Sequence, residues 1–369
     1  MTAAAARGAP VLTIDLAALA ANWRSLAERV APAACGAAVK ADAYGLGMAE
    51  VAPALAGAGC RSFFVAHLDE GIRLRALVPE ARIAVLHGVP PGAEGELPAH
   101  RLLPVLSESG QVARWAARAP LAPACLQLDS GMTRLGLGRR EVEALAADAR
   151  TLGALRLELV ASHLAAADEP SSPLNEAQRR LFEALRALLP PLPASLANSS
   201  GIFLGPAYHL DLVRPGAALY GINPTPGRPN PMREVVRLAA PIVQLRALEA
   251  PARIGYGGTC TAPAGRRVAT VAIGYADGYP RSLGDVGRAM IDGRPAPVLG
   301  RVSMDLLSLD VTAFPPERVA PGRMVDLLGG GADLDAVAAA AGTIGYELLT
   351  RLGRRATRRY LPAEPERPP

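Results

Sequence analysis

The sequence predicts an α/β chain: a (β/α)8 barrel of the TIM type followed by a mainly antiparallel β domain. Three observations predict it. From about residue 34 to 216, a short apolar run, a polar or glycine turn and an Ala- and Leu-rich helical segment recur about eight times. That alternation argues for parallel strands joined by helices, and about 200 residues suits eight such units. Near residue 223 the texture changes: "INPTPGRPNPMR" is dense in Pro and Gly and reads as a linker. The expected domains are therefore 1–235 and 236–369.

The strand runs, in order, are "ACGAAVKA" (34–41), "SFFVAHL" (62–68), "RIAVLHGV" (82–89), "LLPVLS" (102–107), "ACLQLD" (124–129), "LELVASHL" (157–164), "ASLANSS" (194–200) and "LDLVRPG" (210–216). Each is short and apolar, as strands buried on both faces are. "REVEALAADARTLG" (140–153) and "NEAQRRLFEALRALL" (175–189) carry helical spacing between them. Beyond the linker, "APIVQLRAL", "RRVATVAIGY", "PAPVLGRVSMDLLSLDVT" and "RMVDLLG" read as strands with turns, interrupted by the helical "DLDAVAAAAG". The Gly329–Gly331 run reads as a hairpin or loop, since no G-K-[ST] follows it.

Half the residues are hydrophobic and 20% are charged, so a large core is easily buried, and 4% aromatic content suits close-packed alanine-lined helices. A net charge of +5 raises nucleic-acid binding as a class. The densest basic run, "RLGRRATRRY" (351–360), has no zinc-finger or RNP pattern beside it, and that class is disfavoured. Cys35, Cys60, Cys125 and Cys260 lie far apart without a C-x-x-C, which signals neither a metal site nor a disulfide framework. No signal-peptide pattern opens the chain, and no apolar run approaches the about 20 residues of a membrane span. A cytoplasmic, reduced location without a membrane partner is expected.

The chemistry centres on Lys40. Lys and Arg together number 39, and Lys40 is the one lysine among them. Arginine can serve solvation and ion pairing. It cannot lose its proton and attack a carbonyl to form a Schiff base, as a desolvated lysine can. In a (β/α)8 barrel, functional residues gather at the C-terminal ends of strands. Lys40 ends the first run, Asp129 and Arg134 follow the fifth, His163 ends the sixth, Asn198 and Ser199 end the seventh and Arg214 ends the eighth. Several strands thus deliver polar groups to one rim. Pyridoxal phosphate is the usual carbonyl partner of such a lysine. Tyr44 and Ser199 offer hydroxyls to its phosphate, and the "PGAA" turn offers N–H groups near Gly216 and Ala217. Arg214 precedes that turn and suits the ring nitrogen.

In order along the chain, "AVKADAYGLG", "LDSGMTRLGL", "SHLAAADEP", "ANSSGIF", "VRPGAALYG", "GYGGTCTA", "VAIGYADGYPR", "GRVSMD" and "GTIGYELLTRLGRR" resemble the motifs of the bacterial alanine racemases, fold-type III pyridoxal-phosphate enzymes. The match covers all but about the first and last ten residues. The resemblance implies a homodimer whose active sites each combine one subunit's barrel with the other's β domain. It implies that Lys40 carries the cofactor, and that Tyr44, Ser199, Tyr346 and the N–H groups of Gly216 and Ala217 hold its phosphate. His163 would lie near the ring, with Asn198 nearby, and Arg214 would face the ring nitrogen. Tyr256 of the second subunit would be the opposing base. Met304 and Arg134 would contact the substrate carboxylate, and Tyr275 and Arg281 would line the entrance. The reaction implied is interconversion of L- and D-alanine, with Lys40 and Tyr256 moving protons on opposite faces. A Tyr256–His163–Arg214 chain is expected to favour the phenolate.

One departure stands out. Many family members have a carbamylated lysine two residues before the "D-[ST]-G-M" aspartate. Here that position is Gln127, which carries no charge to hold Arg134. Alternatives are a broader alanine and serine racemase, a fold-type III decarboxylase or aldolase, and a non-catalytic cofactor carrier. The "GYGG" tyrosine and "SMD" segment argue against the decarboxylase, and the full second domain argues against the carrier.

Overall fold

Eight short strands close into a ring within the unit Leu19–Arg233; the structure is a computed structural model describing residues 8–362. The strands are Ala34–Cys35 continuing as Ala37–Ala38, then Ser62–Val65, Arg82–Val85, Leu103–Leu106, Pro123–Gln127, Arg156–Ala161, Ala194–Ser195 and Leu212–Val213. Each pairs in parallel with the next along a seven-stranded sheet, and the eighth pairs with Ala34–Cys35. Backbone bonds finish the ring on both sides of the eighth strand. Gly36 N–H donates to Val213 O (2.9 Å) on one side, and Arg214 N–H donates to Ala197 O (2.9 Å) on the other. The predicted barrel is present, with Phe63, Ile83, Leu106 and Leu126 fully buried in its strands.

Local chemistry explains where elements stop. The expected single helix over 140–153 is two, Arg139–Ala147 and Ala149–Gly153. Asp148 breaks it by accepting the Thr151 N–H at 3.0 Å and capping the second piece. The helix expected over 175–189 runs Pro173–Arg186, with proline favourable in its first turn. The gap in the first strand falls at Gly36, where glycine is needed because a Cβ would lie 2.8 Å from the Phe64 ring and 3.0 Å from Ser62 O.

Among the described residues the second unit comprises 8–18 and 234–362, so the N-terminal strand lies outside the barrel unit that the expected 1–235 domain gave it to. The physical reason is strand pairing. Val11–Asp15 lies antiparallel to Val236–Ala247 and parallel to Thr357–Leu361, so the N-terminal strand joins the β domain. Six antiparallel strands close a second ring: Val236–Ala247, Arg267–Val271, Leu307–Asp310, Arg294–Leu299, Arg288–Ile291 and Met324–Leu328. The 12-residue strand Val236–Ala247 closes it by pairing with a different partner along each half, around an irregularity between Ile242 and Gln244. Gly329 and Ala332 pair across the expected glycine hairpin. The basic run at 351–360 is partly neutralised. Arg351 pairs with Glu347 (2.6 Å), and Arg355 pairs with Asp305 (2.7 Å) and Asp277 (3.4 Å). Among the described residues no helix is long and apolar enough to cross a membrane.

Gly36→Ala should lower the free energy of unfolding by about 1–3 kcal/mol through overpacking against Phe64. Urea unfolding monitored by circular dichroism measures this, and an unchanged midpoint would show that the first strand has room to spare.

Candidate active site

Lys40 follows the first barrel strand, and Val39 N–H donates to Phe64 O at 2.9 Å to fix its approach. The next four residues do something L-residues avoid. Ala41, Asp42, Ala43 and Tyr44 have φ between +54° and +57°, forming one left-handed turn that Gly45 (φ +83°) ends. Each such residue costs about 1–2 kcal/mol relative to the right-handed form. The turn is held by its surroundings. Gly45 N–H donates to Ala41 O (2.7 Å), Met48 N–H donates to Asp42 Oδ1 (2.9 Å), and Ala41 N–H donates to Glu70 Oε1 (2.7 Å). Tyr44 is buried, with its ring 4.7 Å from that of Tyr220, whose hydroxyl donates to Ala38 O. Burial lowers the Lys40 pKa and the Arg134 charge lowers it further, while Glu70 opposes both. An amine so placed sheds its proton more readily and becomes nucleophilic.

Next to the first strand, the rim after the eighth presents an anion cradle. Ser199 Oγ accepts the N–H groups of Gly216 (3.0 Å) and Ala218 (3.1 Å), at the start of the short helix Ala217–Tyr220. With both lone pairs engaged, the Ser199 proton is left to donate outward. Gly216 must lack a side chain, because a Cβ there would overlap the Tyr44 hydroxyl. Two hydroxyls and a helix start therefore converge beside the lysine.

Arg214 is partly buried. One guanidinium nitrogen donates to Ser195 Oγ, and another donates to Ser162 O and lies 3.5 Å from His163 Nδ1. Ser195 passes its own proton to Leu212 O, and Ser162 Oγ lies 2.7 Å from Ser130 Oγ. Burial pulls the Arg214 pKa down to about 10, which leaves it charged at neutral pH. His163 is driven down to about 3, first by burial and then by Arg214, Arg134 and Lys40. It is thus a neutral ring, with Nδ1 facing a donor and Nε2 left to carry the proton. The positive charge in the expected Tyr256–His163–Arg214 chain resides on Arg214.

Other expected residues take supporting places. Asp129 Oδ1 accepts the N–H groups of Gly131, Met132 and Thr133 and so shapes the loop that carries Arg134. Gln127 donates to Leu135 O at 3.5 Å, and among the described residues Arg134 has no carboxylate partner. Asn198 accepts from Gly201 N–H (2.9 Å) and donates to Leu164 O (3.4 Å), bracing its own turn. In the second unit, Tyr275 N–H donates to Ser303 O and Ala276 N–H to Met304 O, which brings the Tyr275 and Met304 loops together. Tyr256 stands on a separate turn between Gly255 and Gly257, both with positive φ, and is 71% exposed. Arg281 opens the turn Arg281–Leu283, and Tyr346 sits on the helix Gly345–Arg351.

Four residues escaped the sequence reading. His67 and His87 end the second and third strand runs on the same rim, their rings 4.5 Å apart edge to face. Burial, then His67 and Lys40, lower the His87 pKa. Gln178, fully buried, accepts from Ala165 N–H (2.8 Å) and donates to His163 O (3.0 Å). Glu70 is the fourth. The histidines were visible as polar strand ends; the helix residues Gln178 and Glu70 carried no local signal.

A proton-binding contrast follows for His163. Unfolded, the ring takes a proton near its ordinary 6.5; folded, it does so only near 3. As pH falls through that interval the unfolded chain gains a proton the folded one refuses, so stability falls, by up to about 1.4 kcal/mol per pH unit. His163→Asn should show a shallower decline over the same interval in urea unfolding at stepped pH. Parallel slopes would contradict the neutral ring.

The donor set fits pyridoxal phosphate: a nucleophilic lysine amine, a hydroxyl-and-amide cradle sized by Gly216, and a fixed cation beyond. Comparison with known proteins agrees. The alanine racemase N-terminal domain model matches residues 14–224 and the C-terminal domain model residues 235–360. An alanine racemase of Rhodospirillum rubrum is 54% identical over 360 residues, covering 96% of each chain. A catabolic alanine racemase of Mesorhizobium japonicum is 51% identical, covering 97% of this chain and 94% of its own. The crystal structure of an alanine racemase from Bartonella henselae, with covalently bound pyridoxal phosphate, is 38% identical with a TM-score of 0.92, covering 96% of this chain and 99% of that one. With both halves matched in order and the catalytic rim assembled, this chain belongs to the alanine racemase family.

Proposed function

We propose that the protein interconverts L- and D-alanine with pyridoxal phosphate, as a homodimer in the cytoplasm. The observation that carries this reading is the sole lysine, half-buried and made easier to deprotonate, followed directly by the turn that brings Tyr44 to the Ser199–Gly216 cradle. Bound there, pyridoxal phosphate supplies an electron sink that acidifies the substrate Cα–H.

The chain's own residues do the rest. Lys40 holds the cofactor, then takes and returns a proton on one face of the substrate. Tyr44, Tyr346, the Ser199 hydroxyl and the Ala217 amide receive the phosphate, while the Gly216 N–H donates to Ser199 Oγ and holds that hydroxyl in place. Arg214 meets the ring nitrogen as a held cation with no proton to yield at neutral pH, which limits charge delocalisation into the ring and so disfavours transamination. Asn198 braces the turn that carries Ser199. Arg134 and the Met304 backbone receive the substrate carboxylate, with Tyr275 and Arg281 at the entrance.

Racemisation needs a second base on the opposite face, and Tyr256 of a second copy is that base. Tyr256, Met304 and Tyr275 are 71%, 53% and 43% exposed, and large side chains left so open suit a surface that another copy covers. A tyrosine titrates near 10 in water. His163, neutral and oriented by Arg214, offers Nε2–H to the phenolate and so eases proton loss.

Borohydride reduction of the coloured, cofactor-loaded protein should place the pyridoxyl group on Lys40 alone; a label elsewhere refutes the reading. In deuterated water, Tyr256→Phe should still exchange the Cα proton of one alanine enantiomer while interconversion falls about 10²–10⁴-fold. Equal loss of exchange from both enantiomers would exclude a two-base division of labour. L-Serine run alongside gauges breadth, since a small pocket rejects one added hydroxyl only modestly.

A further inference from the structure

Glu70 is a buried carboxylate, 7% exposed, that the chemistry above does not use. It lies in the first turn of the helix Leu68–Leu77, which follows the second barrel strand. Both oxygens are engaged by backbone. Oε1 accepts Ala41 N–H at 2.7 Å; Oε2 accepts Ala66 N–H at 2.7 Å and His67 N–H at 3.3 Å. A carboxylate is expensive to bury, and three donors offset that expense. One of them belongs to the residue directly after Lys40.

We propose that Glu70 is the positioning residue for Lys40: it locks the left-handed turn that follows the lysine and presents a negative charge to its amine. This rests on the reading of Lys40 as the cofactor-bearing base. Four left-handed residues together cost roughly 4–8 kcal/mol, so the turn persists only where contacts over-determine it. The bonds from Gly45 and Met48 are made within the same stretch of chain. The bond from Ala41 to Glu70 ties the first residue of the turn to a different strand–helix unit. If Ala41 relaxed to the right-handed form, its N–H would leave Glu70, and the path that brings Tyr44 to Gly216 would change with it.

The charge matters as much as the anchor. Arg134, on the loop after the fifth strand, depresses proton binding at Lys40, and burial does so more strongly. His87 and His163, at the ends of the third and sixth strands, also feel Lys40, and Arg214 acts on His163 from behind. Glu70 is the carboxylate in this group, and it alone acts to keep a proton on the lysine nitrogen.

The test compares wild type, Glu70→Gln and Glu70→Asp as cofactor-loaded proteins, titrated through the alkaline range while the visible band of the bound cofactor is followed. Glu70→Gln removes the charge and turns one acceptor into a donor facing an N–H. Its band should bleach at a pH lower by about one unit or more. Glu70→Asp keeps the charge but not the reach. Its midpoint should stay at the wild-type value while kcat/KM falls about tenfold or more. A folded Glu70→Gln protein with the wild-type midpoint overturns the assignment. Should Glu70→Gln fail to fold, Glu70→Asp decides: a lowered midpoint, or wild-type kcat/KM, overturns it. A colourless wild type overturns the functional reading as well, whereas a coloured wild type with unshifted variants overturns the role of Glu70 alone.

Discussion

Four consecutive residues with positive φ follow Lys40, and most of the catalytic rim depends on that constraint. The turn sends Lys40 and Tyr44 out of a barrel strand with a geometry that neither a right-handed helix nor an extended loop supplies. Alanine is a poor left-handed residue, so the conformation is imposed from outside. Glu70, Asp42 and the tilted Tyr44–Tyr220 ring contact impose it. Gly216, bare of a side chain, then admits the Tyr44 hydroxyl next to the Ser199 cradle. A strained segment held by its neighbours is what a preorganised site requires, because the strain is met once, on folding.

The electrostatics of the rim follow from burial more than from pairing. Arg134, Arg214, Lys40 and His163 gather where only Glu70 carries an opposing charge toward the lysine. Such a group of cations disfavours its own weakest members, so Lys40 binds its proton less tightly and His163 loses its proton altogether. Arg214 keeps its charge, because even a fall to about 10 leaves a guanidinium protonated at neutral pH. Its two serine-side bonds fix the direction of that charge. The absence of a lysine at 127 adds to the imbalance, since Gln127 uses its amide on Leu135 O and brings no negative charge to Arg134.

Much of this was legible in the sequence, for identifiable reasons. The eight apolar runs revealed the barrel because strands buried on both faces are uniformly apolar. Lys40, His163, Ser199 and Arg214 were visible because barrel strands end in solvent and their last residues need not be apolar. The helix over 140–153 was misread because Asp148 acts as a cap inside a helical pattern. The N-terminal strand was assigned to the wrong domain because "VLTID" carries no mark of its partners, which lie more than two hundred residues away.

The sequence by itself determined the strand–helix alternation, the change to an antiparallel domain and the identity of the one residue able to act as a neutral amine. Those are properties of local pattern and residue chemistry, and they survive without knowledge of any distance. Only the tertiary structure decided that Ala41–Tyr44 winds left-handed, that His163 is neutral and that Glu70 faces the lysine turn. Each of those depends on groups remote in the chain being desolvated together, and the free energies of burial, strain and charge exist only once the ring of strands has closed.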